Sequence, residues 1–350
     1  MQRLDLAAGY SISRVIKGGW QLAGGHGPVD REVAVRDMFH FVDEGITTFD
    51  CADIYTGVEE TIGEFLKRLR RERGASAAAG VQVHTKFVPD RQALSTMTRE
   101  DVEGAVDRSL CRLGVERLDL VQFHWWDYDV PRFVEVAAYL GELRRAGKIR
   151  HIGLTNFDVP ALWQILEAGV PLVSHQVQYS VIDRRPERGM VEICRTSGVR
   201  LLCYGTVAGG FLSERYLGAA ASEPPFENRS LVKYALIIEE FGGWALFQTL
   251  LAALHAIGRR HGVTIGAVAI RWILDREQVG AAIVGARHAR HLDGTLRAFS
   301  FALGAEDHAL LASVTDLAKG PAGDVYALER VKGGRHASIM KYGLNAAGRE

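Results

Sequence analysis

The sequence predicts an α/β protein: a closed (β/α)8 TIM barrel with an extra helix and a long loop after the seventh strand. Short β-branched runs alternate with stretches of helical period, polar or glycine-rich turns separate them, and the runs number eight. Strands that alternate with helices pair in parallel through right-handed crossovers, and a count of eight favours closure over an open sheet. A chain of 350 residues would suit two ordinary domains or one barrel with insertions. No linker-like stretch divides it, so one domain is expected over 1–350, with the barrel core over about 10–300 and a C-terminal helix and tail over about 303–350.

The candidate strands are Arg14–Lys17, Thr47–Cys51, Val81–Phe87, Leu118–His124, His151–Thr155, Val173–Val177, Arg200–Tyr204 and Ala281–Val284. Helical faces lie between them, such as Ala34, Met38, Phe41 and Val42, or Val102, Ala105, Val106, Leu110 and Leu113. Phe133, Val136, Ala137, Leu140 and Leu143 form another, which Gly147 and Lys148 should end. The GGWQLAGGHG turn after the first strand is glycine-rich but lacks the GxGxxG order and the later acidic residue of a dinucleotide-binding βαβ unit, which argues against an open sheet of that kind. Thr206 to about Gly243 exceeds an ordinary connection and reads as a functional loop. Two adjacent helices, roughly Trp244–Arg260 and Thr264–Asp275, precede the last strand, and the tail from Gly320 is expected to be extended or partly mobile.

Hydrophobic residues at 47% and charged residues at 24% allow a large core and exclude a disordered polar tract. Forty-two basic residues balance forty-two acidic ones, which removes the electrostatic footprint of a general nucleic-acid or membrane-surface binder. No run reaches the ~18 apolar residues of a membrane span, and the opening segment lacks a signal-peptide core, so a cytoplasmic protein is expected. Cys51, Cys111, Cys194 and Cys203 form no CxxC pair and read as reduced thiols, with no metal site.

Four polar residues sit at or just past the ends of consecutive strands: Asp50, Tyr55 five residues on, Lys86 and His124. Barrel active sites are built on that face from residues of several strands. An Asp, a Lys and a His at buried strand ends are each costly unless paired or used, so the four argue for a site together. Taken singly, Asp50 and Lys86 would read as a structural ion pair, His124 as a satisfied histidine and Tyr55 as a rim residue. A lysine beside a tyrosine favours the phenolate and lowers the tyrosine's pKa, and an aspartate beside that lysine keeps it charged. His124 could then donate a hydrogen bond to a carbonyl oxygen or share its proton with Tyr55.

In order, gap and strand position this constellation resembles the tetrad of the aldo-keto reductase superfamily. Gly18-Gly19-Trp20, the segment Gly153 to Phe157, Gln176, Tyr204-Gly205 and the IVGAR run from Ile283 to Arg287 resemble further family segments over about residues 10 to 300. The resemblance implies reduction of a small-molecule carbonyl substrate by hydride from NADP(H), with NAD(H) as the other coenzyme, and Tyr55 as general acid. It assigns the cofactor to Gly19, Trp20, Thr155, Asn156, Gln176, Tyr204, Gly205, Thr206 and Val207, with Gly285, Arg287 and His291 at its 2′-phosphate end. Thr155, Asn156 and Gln176 would surround the nicotinamide carboxamide, Tyr204 would stack on the ring, and Gly205 to Val207 would follow the pyrophosphate. Trp20, Trp125 and Trp126 would wall the substrate pocket.

The chain departs from the family pattern at the coenzyme end, where Gly285 and His291 stand in place of the usual lysine and arginine; Arg287 therefore becomes the expected phosphate contact. Two other readings stay open: a cofactor-binding regulatory subunit of the potassium-channel β type, and a sugar or alcohol dehydrogenase running oxidatively. The oligomeric state is not legible.

Overall fold

The computed structural model describes residues 1–221, 224–285, 288–289 and 292–347. Among them, eight parallel strands close a barrel: β3 (Val15–Gly18), β4 (Thr48–Asp50), β5 (Gln82–Phe87), β6 (Leu118–Phe123), β7 (Ile149–Thr155), β8 (Leu172–Gln178), β9 (Arg200–Tyr204) and β10 (Val279–Gly285). Each pairs with the next along the chain, and β10 returns to β3 in register Val284 to Lys17, which shuts the ring. All eight expected strands form, with ends that shift by one or a few residues; Cys51 and His124 lie just past their strands.

An antiparallel hairpin of β1 (Arg3–Ala7) and β2 (Tyr10–Ser13), which the strand count did not foresee, precedes the barrel. Leu6, Tyr10 and Ile12 pack against Ile16, Leu120, Leu202 and Ile283, so the hairpin plugs one end of the ring.

The outer helices follow their apolar stripes. Helix Arg31–Asp43 starts where the Asp30 side chain accepts from the Val33 amide, and it buries Ala34, Val35, Met38 and Phe41. Helix Arg99–Leu113 opens on a Thr98–Asp101 capping box and ends at Gly114, whose φ of 65° suits a glycine. Helix Phe133–Arg145 buries all five of its expected core positions.

Two expectations need correction. The long segment after β9 contains helix Arg229–Phe241, so two helices rather than one are extra before Ile265–Leu274; the second, Gly243–His261, turns away by 94° at the Gly242 break. Leu231, Tyr234, Ile237, Ile238 and Phe241 carry its helical period, behind an Asn228 cap that the Gly, Ser and Pro residues upstream obscured. The tail after Gly320 is not extended: it folds back over the barrel with short helices at Ala327–Arg330 and Arg335–Ser338. Glu329 drives this, because its buried carboxylate meets the Nη1 of Arg185 at 3.1 Å, and Arg185 is also held by Asp183 at 2.7 Å. Separation of 144 residues hid that pair.

No single helix among the described residues is long and apolar enough to cross a membrane. Inside the ring His84 joins the Tyr10 hydroxyl at 3.0 Å, and on β8 the His175 Nε2 accepts from the Phe157 amide at 3.0 Å. Burial pushes both imidazoles down to about 3 from the usual 6.5. Between those values the unfolded chain binds the extra protons, so this stability is complete above pH 6.5 and is lost as the pH falls toward 3. We expect urea unfolding to show a loss of about 2 kcal/mol for each such histidine between pH 7 and pH 5, above the range where carboxylates titrate. A flat profile over that interval would mean the two rings are charged in the fold.

Candidate active site

Three strand ends deliver the expected cluster of four residues. Asp50 closes β4, Lys86 is next to last in β5, His124 follows β6, and Tyr55 lies in the turn after β4. The Lys86 Nζ lies 2.6 Å from the Asp50 Oδ2 and donates to the Cys51 carbonyl at 2.8 Å. The other Asp50 oxygen accepts from the side-chain amides of Gln122 at 2.9 Å and Gln176 at 2.7 Å. Burial works against the charge on Lys86, but Asp50, by its charge and its hydrogen bond, together with Tyr55 and Cys51 outweighs it and holds the lysine above its ordinary value.

Tyr55 presents its ring 5.1 Å from the Lys86 Nζ and 5.1 Å from the Trp20 ring. Burial pushes its phenol up, Lys86 pulls it down, and the balance lies above an ordinary tyrosine. The expected lowering is therefore outweighed by desolvation, and Tyr55 keeps its proton until a strong base takes it.

His124 also differs from expectation. Its Nδ1 lies 3.1 Å from the Thr155 carbonyl, which can only accept, so Nδ1 carries the hydrogen. Burial, then the charge of Arg330, holds the ring neutral with a pKa of about 3. Nε2, with no partner among the described residues, is then an acceptor rather than a donor to a carbonyl oxygen.

These groups line one cavity of about 560 Å³. Thr155, Asn156, Gln176 and Tyr204 reach it from β7, β8 and β9, and Gly205, Thr206 and Val207 continue along its wall. Trp20 and Gly285 line it too, but Gly19 does not. The Gly19 amide donates to the Asp50 carbonyl at 2.7 Å, and a Cβ there would sit 2.7 Å from that oxygen, so this glycine lets β3 and β4 close together. Arg287 and His291 lie outside the described residues.

Trp126 lines the cavity and Trp125 does not. Trp125 is fully buried in the core, and its indole donates to the carbonyls of Asp127 and Val130 at 2.9 and 3.0 Å. Past the end of β6 the chain bends so that the His124 and Trp126 rings meet at 4.3 Å on the cavity side while Trp125 turns into the core.

The tail supplies residues that the sequence reading missed. Tyr326, Ile339, Met340 and Leu344 line the cavity, and the Tyr326 ring stands 5.6 Å from His124. Asn345 fastens this strap: its side-chain Nδ2 donates to the Val88 carbonyl at 2.8 Å and its backbone amide donates to the Asp90 Oδ1 at 3.0 Å. An aromatic and aliphatic tail rich in glycine was the available signal.

The donor set fits a nicotinamide dinucleotide. Thr206 Oγ1 is buried on the cavity wall without a partner among the described residues, and a Cβ on Gly210 would meet only open space. The Tyr204 hydroxyl donates to Asn156 Oδ1 at 2.9 Å. Both amide hydrogens of Gln176 are committed, to Asp50 and to Gln122, so its Oε1 is what it can offer.

A parallel barrel with this cluster at its strand ends defines a class, and sequence comparison names it: the Aldo/keto reductase family profile matches residues 14–316. The chain belongs to that family and is an oxidoreductase of the carbonyl-reducing kind, a family that uses nicotinamide cofactors. It is 28% identical over 327 residues to the NADH-specific methylglyoxal reductase of Escherichia coli K12, covering 87% of this chain and 95% of that one. It is 28% identical to the aldo-keto reductase YhdN of Bacillus subtilis, covering 85% and 88%. The solved structure of a thermostable aldo-keto reductase, Tm1743, superimposes with a TM-score of 0.69 at 28% identity, covering 90% of this chain and all of that one.

Replacing Lys86 with Met removes the charge that Asp50 balances and leaves a buried carboxylate short of its cation. We expect a loss of about 3 kcal/mol in chemical denaturation together with loss of turnover. A folded, active Lys86→Met enzyme would refute the tuning of Tyr55 by Lys86.

Proposed function

We propose that this enzyme reduces an aldehyde or ketone to the alcohol with hydride from a nicotinamide dinucleotide, and that Tyr55 supplies the proton. The observation that carries the reading is the Tyr55–Lys86–Asp50 cluster on the wall of the cavity that also holds His124, Asn156 and Thr206. The dinucleotide, when bound, supplies hydride to the carbonyl carbon. As negative charge gathers on the carbonyl oxygen, it becomes far more basic than a phenolate, so even a phenol with a raised pKa gives up its proton. Lys86 stabilises the phenolate left behind, and Asp50 keeps the buried Lys86 charged. The neutral His124 orients a hydroxyl through Nε2, a role that serves the product alcohol and the reverse reaction.

Thr155, Asn156 and Gln176 hold the carboxamide, Tyr204 packs on the ring, and Thr206 with the backbone of Gly205 and Val207 meets the pyrophosphate. Trp20, Trp126 and Tyr326 select a small or medium carbonyl compound with apolar surface.

NADPH is the coenzyme we favour, because Arg287, His288 and Arg290 crowd the sequence where the 2′-phosphate is expected and an arginine fork suits phosphate. A second reading, NADH, draws on Asp37: its carboxylate lies 3.5 Å from His288 Nδ1 and accepts from the Ala289 amide at 3.3 Å, which brings a candidate ribose acceptor to the same loop. The E. coli relative is named for NADH.

Two experiments test this. Tyr55→Phe should cut kcat with a panel of aldehydes by at least ~10²-fold while coenzyme affinity measured by fluorescence stays near wild type. Retained turnover would remove Tyr55 from the mechanism. Arg287→Ala should weaken NADPH binding by about 1.5–3 kcal/mol and leave NADH binding unchanged. Tighter binding of NADH by the wild type would transfer the assignment to Asp37.

A further inference from the structure

Arg330 lies in the tail, 205 residues after Trp125 and 174 after Asn156, yet one nitrogen of its guanidinium ties the two together. Nη2 donates to the Trp125 carbonyl at 2.9 Å and to the Asn156 carbonyl at 2.8 Å. Those carbonyls belong to the residues that directly follow His124 and Thr155. The guanidinium is held between two rings, with its centre 4.3 Å from Tyr128 and 5.1 Å from Tyr326. Nε and Nη1 are buried without a hydrogen-bond partner among the described residues, so among these residues the contact is set by the two carbonyls and the rings.

Asn156 needs such a restraint. Its φ is 62°, in the left-handed region that residues other than glycine seldom occupy. Its amide donates to the Gln176 carbonyl at 3.0 Å, its Oδ1 accepts from Tyr204, and its carbonyl accepts from Arg330. Of these three ties only the last comes from outside the barrel strands and their ends. Removal of it would free the carbonyl to rotate toward a relaxed backbone and carry the side chain away from the cavity.

We propose that Arg330 is a positioning residue: it clamps the ends of β6 and β7 and so fixes His124, which faces the substrate oxygen, relative to Asn156, which faces the nicotinamide. The inference rests on the carbonyl-reductase reading above. Arg330 lines no part of the cavity; besides the charge that helps to keep His124 neutral, its positioning effect passes through the two backbone segments that it joins. Small misplacements at such a site cost rate out of proportion to their size.

Two variants separate positioning from bulk stability. Arg330→Met keeps the apolar stem between Tyr128 and Tyr326 and removes both donors; Arg330→Ala opens a space that free guanidinium ion can enter. For the purified Met variant we expect kcat with NADPH and an aldehyde to fall by roughly 10²-fold, and the NADPH Kd from fluorescence titration to rise by about tenfold, with KM for the aldehyde little changed. Millimolar guanidinium chloride should restore at least a third of the lost kcat to Arg330→Ala and leave the wild type unaffected. A folded Met variant with wild-type kcat and NADPH Kd overturns the proposal, and so does an Ala variant that folds, loses activity and gains nothing from guanidinium. Should the Ala variant fail to fold, the Met variant decides alone. A wild-type protein that neither binds nor oxidises NADPH or NADH would sink the reductase reading itself, whereas a fully active wild type beside an unaffected Met variant sinks only the clamp.

Discussion

The buried pair of Lys86 and Asp50 is the constraint around which the mouth of the barrel is arranged. An ammonium and a carboxylate at 5% and 4% exposure are tolerated only when their hydrogen-bonding capacity is filled. Cys51, Gln122 and Gln176 fill it, and those three residues come from the end of β4, from β6 and from β8. Their placement in turn fixes the wall on which Tyr55 rests. The ion pair thus links the register of half the barrel to the protonation state of one phenol: any slip of β6 or β8 would strip Asp50 of a donor and weaken its hold on Lys86.

A second network works at the other side of the cavity and has the opposite logic. There the charges of Asp183, Arg185, Lys233 and Glu329 fasten a peripheral segment to the barrel instead of tuning a reacting group. Lys233 lies 3.7 Å from Glu329 and 4.9 Å from the Tyr204 ring, so the ion cluster that seats the tail also reaches the aromatic residue on the cavity wall. Removing Glu329 would leave the buried Arg185 with Asp183 alone, and removing Arg185 would leave the buried Glu329 with only the longer contact to Lys233, which is why such a tail can be short, irregular and still firmly placed. Once seated, it supplies Tyr326 and the apolar strap from Ile339 to Leu344, and with them one side of the substrate wall.

The cavity therefore has two kinds of boundary. One is built from strand ends, where position follows from barrel register and the Lys86–Asp50 pair is held by hydrogen bonds from neighbouring strands. The other is built from loops and the tail, where aromatic packing and long-range ion pairs do the fixing. Tyr55, Lys86 and Asp50 sit on the first, which suits groups whose mutual distance sets a pKa. Tyr326 and Met340 sit on the second, which suits contacts that distinguish one substrate from another.

By itself the sequence determined the eight barrel strands, the apolar faces of the surrounding helices and the four residues Asp50, Tyr55, Lys86 and His124, because period and strand-end position are local signals. It also pointed to Thr155, Asn156, Gln176 and Tyr204 as cavity residues through resemblance along the chain. Tertiary structure decided the rest. Trp125 and Trp126 are adjacent in sequence, and only the course of the chain past β6 assigns one to the core and the other to the cavity. The tail became a wall because Glu329 found Arg185 and Arg330 found the carbonyls of Trp125 and Asn156, contacts that span more than a hundred residues and leave no periodic trace. The protonation of Tyr55 and the tautomer of His124 were decided the same way, since burial outweighs the charge of Lys86 at the phenol and a single carbonyl at 3.1 Å places the hydrogen on the imidazole, neither of them visible in the order of residues.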